Sequence, residues 1–131
     1  MLKKNNIYTL LVAFLCIIST RVYAQNVTVD ASIDSIQRFI GEQARIKLEV
    51  SCDASRSIHL PQFVDTLVAG VEIIDIVKAD TQYLNNRERM MVTQEYIVTS
   101  FDSASYYIPP FEVMVDGQIH HSQSLALMVY P

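Results

Sequence analysis

The sequence predicts an all-β domain, a two-layer antiparallel sandwich of about seven or eight strands with no disulfide. Three observations carry this. Apolar residues recur at every second position in short runs, the period of a half-buried strand. Turn residues separate those runs at the spacing a sandwich requires, and Asp116-Gly117 is the strongest hairpin signal among them. Beyond residue 24 no run carries a helical period, and a single cysteine, Cys52, remains there, so the layers must be held by apolar packing.

Each element has its own signal. Lys3 and Lys4 precede a 12-residue apolar run from Ile7 to Ile18, too short to span a bilayer, and then Val22-Tyr23-Ala24. This is the pattern of a cleaved export signal over residues 1–24, with the cut between Ala24 and Gln25. Cys16 lies inside the apolar run behind Phe14 and Leu15, where a lipobox would need small residues. Residues 25–131 are then one domain, enough for a single two-layer core.

Val27, Val29, Ala31 and Ile33 alternate with polar residues as a first strand, and Gly41-Glu42 turns into a second over Ala44–Cys52. Pro61 marks Ile58–Pro61 as a short or edge segment, because proline cannot donate to a ladder. Val71–Val77 is apolar on both parities, and Val64–Ile73 is the one place where a turn of helix could fit. Asn85-Asn86 joins Thr81–Leu84 to the long run Met90–Phe101. Finally, Phe111–Val115 is expected to meet Ser124–Tyr130 across Asp116-Gly117.

Removing Lys3, Lys4 and Arg21 with the signal leaves seven basic against fourteen acidic residues, interspersed along the chain. Such a balance disfavours nucleic acid and anionic lipid as partners. Cys52 shares the parity of Ile46, Leu48 and Val50, which makes it a small buried hydrophobe ahead of a reactive or intermolecular thiol.

Asp102, Ala104 and Tyr106 stand in the pattern Asp-x-Ala-x-Tyr that opens the sixth strand of an immunoglobulin sandwich. There a tyrosine hydroxyl returns to upstream backbone and pins a corner between two strands. Tyr106 fits that role, Asp102 would cap the turn by accepting local N–H bonds, and Ala104 would leave room for the ring. Ile108 occupies the place of the usual cysteine, facing Leu48 or Val50 across the core. The predicted fold is therefore an immunoglobulin-like β-sandwich, with a bend at Pro109-Pro110.

Tyr106-x-Ile108-Pro109-Pro110, a strand, Asp116-Gly117 and Ser122-x-x-Leu125-x-Leu127-x-Val129-Tyr130 together resemble the end of the first β-sandwich of the BatD, or aerotolerance, family. At the front, Val27-x-Val29-x-Ala31-Ser32, Ile40-Gly41-Glu42 and Leu60-Pro61 match that domain's order of elements. The resemblance implies an envelope protein of a Gram-negative bacterium, in the periplasm, acting beside von Willebrand A-type proteins and a MoxR-type ATPase. It also implies a second domain and a membrane helix, neither of which is seen before Pro131.

Catalytic and metal chemistry find little footing. His120 and His121 are neighbours whose side chains point to opposite faces of a strand, and His59 is the third histidine. No nucleophile motif or phosphate loop occurs. Asp30 and Asp34 share a parity but read as a solvent face. Asp34-Ser35-Ile36, Asp65-Thr66-Leu67 and Asp102-Ser103-Ala104 match a loose envelope O-glycosylation tripeptide, giving Ser35, Thr66 and Ser103 as acceptors; Asn26-Val27-Thr28 is a sequon without meaning in a bacterial host. The expected function is a non-enzymatic envelope interaction module with no cofactor. The alternative is an adhesion or carbohydrate-binding sandwich, which an exposed aromatic platform, such as Tyr83, Tyr107 and Phe111 together, or a calcium-dependent change in melting would favour.

Overall fold

The computed structural model describes residues 4–18 and 26–131. A helix, α1 (Lys4–Ile18), opens the chain, and its side chains from Lys4 to Leu15 are exposed. No helix among the described residues is long and apolar enough to cross a membrane. The Ala24–Gln25 cleavage position lies outside the described residues.

The rest is β structure in eleven segments. They are β1 (Thr28–Ile33), β2 (Gln37–Phe39), β3 (Ala44–Asp53), β4 (Ile58–His59), β5 (Thr66–Val68), β6 (Val71–Leu84), β7 (Arg89–Thr99), β8 (Ala104–Ile108), β9 (Glu112–Val115), β10 (Gln118–His121) and β11 (Leu125–Tyr130). One sheet has the order β1-β3-β7-β6-β5; the others run β10-β9-β4 and β2-β11-β8. The last two are halves of one layer. Val115 pairs with Gln118 and Ile108 with Leu125, so both halves keep the register of a single long hairpin. Pro109 and Pro110 interrupt it, because neither has an N–H to offer. At the gap Ser122 N–H donates to Phe111 O at 3.0 Å, and Phe111 N–H donates to Ser122 Oγ at 2.9 Å.

This corrects the expected partner of Phe111–Val115. Asp116 and Gly117 both have positive φ, 48° and 79°, the geometry of a two-residue hairpin loop, so the strand must pair at once with Gln118–His121. Leu125–Tyr130 instead pairs with β8 beyond the interruption. Joining the broken segments leaves nine strands, of which β2 and β5 are three-residue pieces too short to show alternation. The stretch Val64–Ile73 holds no helix; it forms β5 and the turn through Gly70 into β6.

Alternation on β3 buries Ala44, Ile46, Leu48, Val50 and Cys52 completely or nearly so. They pack with Tyr96 and Val98 of β7 against Ile108, Val113, Val115 and Leu127 of the facing layer. Each Val, Leu and Ile side chain among them is worth about 1.5–3 kcal/mol of burial. At one side of this core Tyr96 stacks on Phe111 with ring centres 5.9 Å apart, and Phe63 stands edge-on to both.

The long strand β6 behaves differently. Register shifts between Ile73 and Asp75 and between Val77 and Asp80 mark two bulges, each of which flips the parity of the residues after it. The first of them is why Val71–Val77 reads as apolar on both parities. The side chain of Gln94, on β7, donates to Val77 O and so satisfies the second bulge.

Candidate functional site

The two layers are unequal in width. Five strands face a layer that, at the end where β9 lies, stops at the two residues of β4. Beyond Ile73 the core-directed side of β6 therefore has no strand opposite it among the described residues, and the chain from Leu60 to Val64 crosses the gap as a strap.

Two clefts open on either side of that strap. The larger, about 560 Å³, is walled by Ile58, Leu60, Pro61, Val64, Ile76 and Tyr96, with Gln94 at its base. The smaller, about 300 Å³, lies between Pro61, Phe63, Leu67, Pro109, Pro110 and Phe111. The smaller is largely apolar, and the larger sets its apolar walls beside His59, Gln62 and Gln94. Val64 is 82% exposed and Ile76 43%, although Ile76 sits opposite the buried Tyr96 in the ladder. Gln94 is 8% exposed, and its Oε1 has no hydrogen-bond donor among the described residues. Tyr96 Oη donates to Pro61 O at 3.4 Å, tying the strap to the sheet. Burial pushes the Tyr96 hydroxyl up to about 12, so it stays a neutral donor at every physiological pH. Such an opening can hold apolar side chains of a binding partner.

The corner residues lie away from it. Tyr106 Oη donates to Asp102 O at 2.9 Å, and Ser100 Oγ stands 2.9 Å from the same hydroxyl. No donor reaches the Asp102 carboxylate among the described residues; Ser100 Oγ, buried at the corner, takes the Asp102 N–H at 3.3 Å instead. Capping thus falls to Ser100, which is nearer the turn's interior. Ala104 is exposed, and space for the ring is set on its other side by Gly70, whose φ is +87° and where an added Cβ would stand 2.6 Å from Tyr106 Cε1.

Of the other residues singled out by sequence, Cys52 is fully buried, and burial raises its thiol against the pull of Arg56 and Arg89, leaving it inert. His120 and His121 lie on β10 with His121 Nε2 3.4 Å from Glu112 Oε1, and His59 lies on β4. The described residues hold no group of three or more ligands placed for a metal. Asp30 and Asp34 are exposed. Burial works to raise the Asp34 carboxyl, but the N–H groups of Arg45 and Ser35 and the charge of Arg38 outweigh it and hold it below the usual value. Ser35 Oγ is occupied by Gln37 on both sides, whereas Thr66 and Ser103 are exposed. Phe111 is 3% exposed, so Tyr83, Tyr107 and Phe111 form no shared aromatic platform.

Sequence reasoning passed over Gly70, Gln94, Val64 and Ile76. Only Gln94 left a visible signal, as the polar residue at a core parity between Val92 and Tyr96.

These features define an all-β, immunoglobulin-like sandwich module pinned at one corner by a tyrosine and open along one side. Its kinship is equally definite. The chain belongs to the BatD family: the BatD DUF11-like domain matches residues 31–129, from the middle of β1 to the penultimate residue of β11. No curated protein and no solved structure matches it.

Proposed function

We propose that this domain is a non-enzymatic interaction module of the bacterial cell envelope, exported by residues 1–24 and holding a partner protein on its open side. The observation that carries the reading is the apolar opening between the strap and β6, where Val64 and Ile76 stay in water beside a preformed cleft. Side chains placed so gain free energy only when something covers them, at roughly 25 cal/mol per Å². The charge balance, the export signal and the family support an envelope partner, and the family resemblance directs attention to von Willebrand A-type proteins.

Val64→Asp tests this. Val64 touches little of the fold, so the variant should melt within about 0.5 kcal/mol of the parent. Cross-linking in intact cells, followed by fractionation, should yield an envelope-protein adduct with the parent and none with the variant. An unchanged set of adducts would sink the reading.

A further inference from the structure

The second feature of the open side is the outer edge of β6. On that side β5 meets it only at Val71 and Glu72, with one more bond from Ile73 N–H to Asp65 O. From Ile74 to Leu84 the strand has β7 on one side and, among the described residues, no strand on the other. An edge of this length is a template for another strand.

Its charges are also unusual. Glu72 lies opposite Thr99, Asp75 opposite Ile97 and Asp80 opposite Thr93, all on the face turned from the core. Without the bulges, Ile74 and Ile76 would have followed Glu72 on that face; with them, the three carboxylates share it, Glu72 beside β5 and Asp75 and Asp80 on the free edge with Val77 between them. None of the three has a cation within 4.0 Å among the described residues, whereas Glu95 on β7 and Glu49 and Asp53 on β3 beyond it are each ion-paired. Lys78 is the one cation of the strand, and it bridges to none of them.

We propose that the free edge of β6 receives an extended segment of a partner protein, carrying Lys or Arg at alternate positions, by strand addition. Backbone groups of the edge supply the ladder, and the carboxylates select the cationic side chains. A second copy of this chain is a poor occupant, since joining two such edges would set acidic residues side by side. The proposal rests on the binding reading above but uses the backbone edge and outer face of β6, which share only Ile76 with the cleft.

The test uses isotopically labelled protein, purified as its cell processes it, and short synthetic peptides alternating Val with Lys or Val with Glu. Binding is followed by amide exchange and by titration. The Val/Lys peptide should slow exchange at β6 amides between Ile74 and Leu84. Its affinity should fall about threefold in each of Asp75→Asn and Asp80→Asn and fall further as salt is raised, yet be unmoved in Asp30→Asn on β1, at the far edge of the sheet. Any of four results would overturn the proposal: no binding, equal binding of the Val/Glu peptide, equal binding of the backbone N-methylated Val/Lys peptide, or protection at residues 60–64 in place of β6. Protection of β6 without peptide, growing with protein concentration, would make the occupant a second copy and overturn it as well. Loss of the cleft reading would leave this result intact, because Val64 is not part of the edge.

Discussion

The strands β3 and β6 are both long and rich in Val, Leu and Ile, yet one is the centre of the sandwich and the other its most exposed long strand. Every second residue of β3 is buried, while β6 buries only Val71. The difference lies in what faces them. β3 has neighbours on both edges and β8, β9 and β11 packing above it; β6 runs past the limit of the opposing layer and past β5. Apolar content, then, does not set burial in this sandwich. The width of the facing layer does, and the strand left uncovered is where a partner can gain from contact.

Substitutions should break this comparison in a graded way. Leu48→Ala on β3 removes a fully buried side chain and should cost about 2–5 kcal/mol in urea unfolding. Gly70→Ala should cost about 2–4 kcal/mol, through positive φ and collision with the Tyr106 ring. Tyr106→Phe, which loses only the hydroxyl at the same corner, should cost about 1 kcal/mol and leave the fold intact. Ile76→Ala on β6 should cost less than about 1 kcal/mol, since almost half of that side chain is already in water. If Ile76→Ala proved as damaging as Leu48→Ala, the open side would have to be closed in solution.

The pH dependence should be weak and one-sided. The Asp34 carboxyl is held below its usual 3.8, so its contribution is complete above that value and is lost as pH falls through the lowered one. Asp34 is largely exposed, and the loss is correspondingly small. Asp34→Asn should therefore flatten the acid limb of stability below about pH 4 and change nothing at neutrality.

Legibility divided along the same line. β3 was plain from its alternation, and the two-residue loop at Asp116-Gly117 from its turn chemistry. β6 was obscured because each bulge flips the parity on which such reading depends, and Gln94 explains the second bulge only once β7 lies beside it. The broken hairpin was half visible: Pro109-Pro110 announced a bend but not that Ser122 would bridge it. Gly70 and Tyr106 meet through tertiary packing, which no local pattern encodes. The candidate site was hidden for a related reason. It is defined by a missing strand, and strand count per layer emerges only from topology.

The most direct test of the account is photo-cross-linking in living cells from one position at a time, at Val64 on the open side and at Ser32 on the solvent face of β1. Adducts to an envelope protein from Val64 and none from Ser32 are the predicted result. Adducts from Ser32 with none from Val64 would contradict it, and would move the working surface to the opposite edge of the five-stranded sheet.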